Sequence, residues 1–494
     1  MHASPRRAPA PEPRGYRRRR PENTELYEAV RQHLASFLEL AGADPSQGGL
    51  PAHVRGELER YLRCGILAYG FVRVWCPTCK DDLLVAFSCR GRGVCPSCGG
   101  RRMADTAARW VDHVLPEVPF RQWVLALPFP VRFRLAWEPE LLTRVLRIVH
   151  AAIGGRLRLL ARRRGHRGGR HAAVTVVQRF GSSLNLNVHL HCLVADGVWV
   201  EGEGGPRFVP LRLRDEDVRA VLARIYRRVR RLLLERGLLG EEVEDPEVTE
   251  PDRQLELRLA GASVLGRTAL GPRAGQPLRR VGQRRRSRSD HPRSRRRREL
   301  QDSIAGFDLH AGLRVPRNDR ARLERLSRYL LRPAVCMERL SLREDGLYQY
   351  DFRRPWSDGS IGIVLEPMGL MERLAALVPI PRANLVRYHG VLAPAATWRS
   401  RVVPRRADDH GGCGHRRSEG PAAPNRLAWA ELLRRVFLVD VLRCAGCGGR
   451  REIVAEVTDP DAARAILEHL GLLVDVPLPE PARGPPDRDL PRAS

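Results

Sequence analysis

Apolar residues recur at helical spacing from Glu22 to Leu40, where Leu26, Val30, Leu34, Phe37 and Leu38 form one stripe, and this pattern predicts a helix. A shorter helix is expected over Val54 to Leu62. Glu140 to Leu160 repeats the signal with Leu141, Val145, Ile148, Ile153, Leu157 and Leu160, and Asp215 to Leu239 predicts an Arg-rich amphipathic helix. Asn318 or Asp319 can cap a helix running from Arg320 to Arg332 and stopped by Pro333, with Leu323, Leu326 and Leu330 as its apolar stripe. Helices are also expected at Glu366 to Leu377 and Leu427 to Leu438. Alternation with a period of two predicts strands. It is weak over Arg121 to Phe133, which Pro128 and Pro130 interrupt, so a strand entering a Pro-marked turn is expected there. A hairpin is expected around Val198–Val200 and Phe208–Leu211, and another over Leu340 to Leu365. Ile453 to Leu473 reads as a strand followed by a helix.

The most informative alternation lies within Val174 to Gly197, whose core is Asn187-Val188-His189-Leu190-His191-Cys192-Leu193-Val194 and which ends on the turn pair Asp196-Gly197. On a strand, His189 and His191 share one face with Asn185 and Asn187, and Val188, Leu190, Cys192 and Val194 share the other. One face then anchors the strand in a core. The other can hold a cation between two neutral imidazoles. The triplet alone more often means two histidines on a solvated face. Tyr329 sits at the edge of its helix's apolar stripe, with Arg322, Arg325 and Arg332 on the same side.

The 494 residues exceed one ordinary domain, and 43% hydrophobic content is enough for real cores. The net charge of +29 is carried almost wholly by arginine, Lys80 being the only lysine. Guanidinium groups fork onto phosphate, so a basic excess of this size implies a polyanionic partner, most plausibly nucleic acid. No run of about 18 apolar residues predicts a membrane span. The basic N-terminus lacks the apolar region of a secretory signal and reads as a disordered arm.

The 11 cysteines fall mostly in short-spaced groups, which favours metal ligation over disulfides. Cys76/Cys79 and Cys95/Cys98 are two C-x-x-C knuckles on either side of an expected hairpin at Leu83–Phe87. Four thiolates in a tetrahedron make a closed structural Zn²⁺ site. Cys64 and Cys89 are surplus; Cys89 can replace a member of the four, and His53 is a more distant candidate. Arg73, Arg90, Arg92, Arg101 and Arg102 surround the knuckles, which points to DNA contact as well as folding. The C-x-x-C at Cys444/Cys447 has no evident second pair, with Cys413 and His415 as candidate partners. Residues 241–252 read as an acidic linker, Gly282 to Arg298 as a low-complexity Arg-rich segment, and 405–425 as a Pro/Gly/Arg linker.

FVRVWCPTC…FSCRGRGVCPSC, then QRFGSSLNLNVHLHCLVADG, RLSRYLLRP and LVRYHGVLAP, in this order, resemble the rolling-circle insertion-sequence transposases of the HUH class, the IS91 family. The resemblance runs from about Leu62 to Pro404, with a weaker echo from Arg435 to Leu473. It implies an α+β protein. A ferredoxin-like (RRM-like) antiparallel-sheet nuclease domain at 111–404 would follow a basic and helical segment at 1–62 and a zinc-ribbon-like module at 63–110. A small C-terminal α/β piece at 426–475 and a disordered tail at 476–494 would complete the chain. His189, His191 and Gln178 would hold catalytic Mg²⁺ or Mn²⁺, with Asn185 and Asn187 as alternatives for the third position. Tyr329 would be the nucleophile, of the single-tyrosine type because Arg325 stands four residues upstream. Arg322, Arg325 and Arg332 would hold the backbone of single-stranded DNA at the element's ends. A bacterial, cytoplasmic, nucleoid-associated protein follows. The Arg-rich Gly282 to Arg298 departs from the family pattern. The competing expectation is a zinc-dependent DNA-binding protein without catalysis, or an inactivated transposase.

Overall fold

The computed structural model describes residues 18–43, 48–238, 254–282, 299–404, 441–472 and 478–482. The acidic linker, the Arg-rich segment beyond Gly282, the 427–438 helix, Cys413 and His415 lie outside the described residues.

The chain opens with α1 (Glu25–Gly42), capped by the Thr24 side chain, and α2 (Ala52–Leu62). The hairpin β1 (Phe71–Cys76) and β2 (Asp81–Ala86) leads into α3 (Pro96–His113). Next come β3 (Phe120–Ala126), α4 (Phe129–Trp137) and α5 (Pro139–Arg162). The pair β4 (Ala172–Phe180) and β5 (Leu186–Ala195) precedes β6 (Gly197–Val200), β7 (Arg207–Pro210) and α6 (Asp215–Glu235). After α7 (Gln254–Leu265) come β8 (Arg279–Val281), β9 (Gln301–Ile304), β10 (Phe307–Val315) and α8 (Arg320–Leu331). Then follow β11 (Leu340–Leu342), β12 (Tyr348–Asp351), β13 (Gly362–Leu365), α9 (Pro367–Leu377), β14 (Val386–Gly390) and α10 (Arg399–Val402). The last elements are β15 (Glu452–Val457) and α11 (Pro460–His469).

The centre is a six-stranded antiparallel sheet in the order β14-β4-β5-β3-β10-β9. The alternation read along β5 is realised. Val188, Leu190, Cys192 and Val194 join Trp123, Leu125, Val177 and the apolar stripes of α4, α5 and α6 in one core. On the opposite face, Leu193, Val174, Val176 and Phe120 meet Trp110 of α3 and Leu323, Leu326 and Leu330 of α8. Twelve residues make a marginal helix in isolation, so α8 depends on this packing, each buried leucine contributing roughly 1.5–3 kcal/mol. A second core joins α1, α2, α7 and α9 to a four-stranded sheet in the order β11-β12-β13-β8.

Several elements differ from expectation. Pro128 and Pro130 do not mark a turn but start α4, where a missing N–H costs nothing because first-turn donors have no helical partner. The expected hairpin over Leu340 to Leu365 is a three-strand meander extended by β8. Val386–Gly390, for which the sequence pattern predicts no element, is an edge strand of the central sheet. The knuckle Cys76–Cys79 does not flank the hairpin; it is the hairpin's turn, between β1 and β2. The C-terminal segment, expected as a small unit of its own, lends β15 to the zinc module, giving a three-stranded sheet β15-β1-β2.

Candidate active site and metal centres

β5 runs between β4 and β3, and the register sets Gln178 directly opposite His189 and Val176 opposite His191. Opposed residues of an antiparallel pair project on the same face. Gln178 therefore joins the histidines under α8, where its Nε2 donates to the carbonyl of Leu330 (3.2 Å). The two imidazole centroids lie 4.8 Å apart, and Tyr329 meets His191 edge-on at 6.3 Å. This face is not solvated: His191 is 4% exposed and Gln178 2%. Tyr329, at 39%, stands at the opening.

The hydrogen bonds around the rings set their proton positions. His189 Nδ1 lies 2.8 Å from the Asn187 carbonyl, which can only accept, so the ring proton is on Nδ1 and Nε2 keeps its lone pair. Gln122 Nε2 on β3 lies 2.9 Å from His191 Nδ1, with the amide N–H donating to that ring nitrogen. Turning the Gln122 amide over presents its oxygen instead, which places the ring proton on Nδ1 and frees Nε2, the arrangement that orients metal-bound histidines. His191 Nε2 and Gln178 Oε1 are buried with no hydrogen-bond partner. Buried polar atoms without partners are costly, and a divalent cation would satisfy both. Burial pushes His189 down to about 4 and His191 to about 2, with Arg332 adding repulsion at each, so both rings are neutral ligands at ordinary pH. Asn185 instead accepts from Ser183 in the β4–β5 turn (2.8 Å), and Asn187 is half-buried beside the pair.

Arginines surround the tyrosine. The Arg332 guanidinium lies 4.3 Å from the Tyr329 ring centroid and that of Arg353 5.7 Å. Asp319 caps α8 by accepting from the backbone of Arg322 (2.9 Å). Arg322 and Arg325 are exposed on that helix. At the C-terminal end of α8 a cavity of about 300 Å³ is lined by Arg92 and Arg102 of the zinc module, Gln178 and Arg179 of β4, and Leu330 and Arg332. Arg179 is buried, with Nε and one Nη unpartnered, and burial pulls its guanidinium down to about 10. Gln122, Arg179 and Arg353 had no local sequence signal; each gains meaning only through a neighbouring strand or loop.

The four cysteines expected to share one zinc do not come together. Cys95 and Cys98 join Cys64 and Cys89, while Cys76 and Cys79 face Cys444 and Cys447. In the first cluster Cys64–Cys98, Cys64–Cys95 and Cys89–Cys98 sulfurs lie 3.7, 3.6 and 3.5 Å apart. Cys95 also caps α3, accepting from the Cys98 backbone (3.5 Å). That cluster is thus fixed to the helix that packs on α8. The two surplus cysteines are the missing half of this set. The two C-x-x-C motifs nearest in the chain thus belong to different clusters.

Residues 29–127 match the family described as "Transposase zinc-binding domain", and residues 172–400 the family described as "Putative transposase". The chain belongs to the IS91 family of transposases. The two matches cover the cysteine-rich module and the stretch from β4 to α10, so Gln178, His189, His191 and Tyr329 fall within the transposase match. No curated protein and no solved structure matches the transposase at a significant level. As a transposase it binds DNA and carries out strand cleavage and transfer during transposition, and structural zinc belongs to its N-terminal module. Among the described residues no helix is long and apolar enough to cross a membrane.

Proposed function

We propose that this transposase cuts one DNA strand with Tyr329 and carries the 5′ end as a phosphotyrosine, in the rolling-circle manner of the HUH class. The observation that carries the reading is the convergence of Tyr329 on His191, beside two buried ligand atoms without partners. An antiparallel sheet with the histidine strand inside it also fits the ferredoxin-like nuclease architecture of that class.

His189 Nε2, His191 Nε2 and Gln178 Oε1 would hold the divalent cation, Mn²⁺ or Mg²⁺. Held there, it would supply charge neutralisation at the scissile phosphate. A free phenol, with a pKa near 10, is a poor nucleophile. Arg332 and Arg353, flanking the Tyr329 ring, hold the phosphate facing it. The Tyr329 oxygen attacks phosphorus in line, the P–O3′ bond breaks, and the phenol's proton is balanced by the one taken up at the leaving 3′-hydroxyl. The phosphotyrosine keeps the bond energy, so a second 3′-hydroxyl can reverse the step without a nucleotide cofactor. Arg92, Arg102, Arg179 and Arg332 make the cavity beside the tyrosine a path for a flexible strand. Arg322 and Arg325 extend that path along α8. Single-stranded DNA suits such a path because its backbone can bend into it. In the zinc module, Cys64, Cys89, Cys95 and Cys98 hold zinc at the start of α3 and so brace the helix under α8.

The test is labelled single-stranded DNA carrying an element end, incubated with the protein and Mn²⁺ or Mg²⁺ and separated under denaturing conditions. A covalent protein–DNA band is expected from the wild type and none from Tyr329→Phe, which should still bind the DNA. No band from the wild type, or an equal band from the variant, overturns the assignment.

A further inference from the structure

The second cysteine cluster lies partly outside both family matches. Cys76 and Cys79 form the turn between β1 and β2, and Cys444 and Cys447 form a turn closed by the Arg443–Arg450 bridge, just before β15. Sulfurs 371 and 365 residues apart in the chain meet at 3.5 Å (Cys76–Cys447) and 3.4 Å (Cys79–Cys444). All four ligand atoms lie within 4.8 Å of one another. A disulfide would bring two sulfurs to about 2.05 Å. Tetrahedral zinc, with Zn–S near 2.3 Å, spaces them by about 3.8 Å, which is the regime seen.

The surroundings are built for this meeting. Gly449 approaches Thr78 so closely that a Cβ there would sit 2.9 Å from Thr78 Oγ1, which lets one knuckle lie against the other. Within each knuckle backbone amides turn inward: Gly449 N–H donates to Cys447 Sγ (3.4 Å), and Lys80 N–H closes its turn on the Cys76 carbonyl (2.9 Å). Asp81 pairs with buried Arg451 across the junction. β15 then zips along β1 from Trp75↔Glu452 to Phe71↔Val457, and α11 places Ala463 and Leu467 against Leu67, Phe71 and Leu84.

We propose that Cys76, Cys79, Cys444 and Cys447 form a second zinc centre, composite between the two ends of the chain, so that the protein binds two zinc ions. Four thiolates with no oxygen or open position make a closed structural site. Because the metal closes a loop of more than three hundred residues (365 between Cys79 and Cys444), it restricts the unfolded chain and fastens β15 as the third strand of the module. The apolar cluster under β15 and α11 is small, and the metal adds to it, to the β1–β15 ladder and to the Asp81–Arg451 pair.

The measurement is metal content of the purified full-length chain by elemental analysis, with zinc and iron both quantified. Two zinc per chain are expected for the wild type and one for Cys444→Ser/Cys447→Ser. Cys76→Ser/Cys79→Ser should also hold one. The quadruple variant should still hold one, because both pairs serve the same ion. That remaining equivalent, bound by Cys64, Cys89, Cys95 and Cys98, also reports that the module is folded. One zinc in the wild type, two in the Cys444→Ser/Cys447→Ser variant, losses that add in the quadruple variant, or iron in place of zinc each overturn the proposal. None of these outcomes depends on DNA cleavage.

Discussion

Gln122 shows how much of a metal site lies one step behind its ligands. It touches no substrate, yet its amide is the hydrogen-bond partner of His191 Nδ1 and so orients the ring. Gln122→Leu removes that partner and should weaken Mn²⁺ binding about 10–100-fold, read by calorimetric titration; Gln178→Ala should weaken it further by removing a ligand. Unchanged affinity in both would place the cation elsewhere. The His189-Leu190-His191 triplet and Tyr329 are legible in the sequence because strand and helix periodicity put them on definable faces. Gln178 was reached through family resemblance, and the β4–β5 register gives it a physical position, opposite His189. Gln122, Arg179 and Arg353 were not legible, because their roles depend on strand order and on a loop from another sheet.

At the scale of elements, the central sheet is tied at one end by a buried charge cluster. Asp196, in the turn after β5, receives Arg121 of β3 (2.7 Å) and Arg314 of β10 (2.7 Å). Asp196 and Arg121 are both buried. Removing one partner of a buried pair leaves an uncompensated charge, so Asp196→Ala should cost about 3–5 kcal/mol, measured by urea denaturation. A loss within about 0.5 kcal/mol, the range of ordinary surface substitutions, would show that the cluster is hydrated. The turn at Asp196-Gly197 was readable from the residue pair, but its electrostatic role was not, because Arg314 belongs to a strand the periodicity reading passed over. That strand does alternate, with Phe307, Leu309 and Ala311 buried on one face; these apolar residues are few beside Asp308, His310 and Gly312, which weakens the signal. The helices were more legible because their stripes are long, and α4 was lost to prolines that look like breakers until they are placed in a first turn.

At the scale of the molecule, charge and buried histidines set how the protein responds to solution conditions. With a net charge of +29, binding of single-stranded DNA should weaken steeply with salt, with a log–log slope near −0.7 per neutralised phosphate. Arg332→Ala should make that slope shallower by about one such increment, and an unchanged slope would remove Arg332 from the phosphate path. At one side of the sheet His150 stacks on His389 at 3.5 Å, with His171 at 5.9 Å from His150. Burial pushes His171 and His389 down to about 4 and His150 well below its ordinary value, with Arg158 and Arg387 adding repulsion at His171 and His389. The unfolded chain protonates these rings near pH 6.5, while the folded chain resists until about 4. Their contribution is therefore complete above pH 6.5 and lost as pH falls towards 4. The melting temperature should drop across that window, less so in His389→Asn; a flat profile would mean the stack opens to solvent. The central claim is that Tyr329 becomes joined to a 5′-phosphate. Its most direct test is mass spectrometry of the digested covalent complex. The account predicts a nucleotide attached through its 5′-phosphate to the peptide containing Tyr329; attachment at another residue, or through a 3′-phosphate, would contradict it.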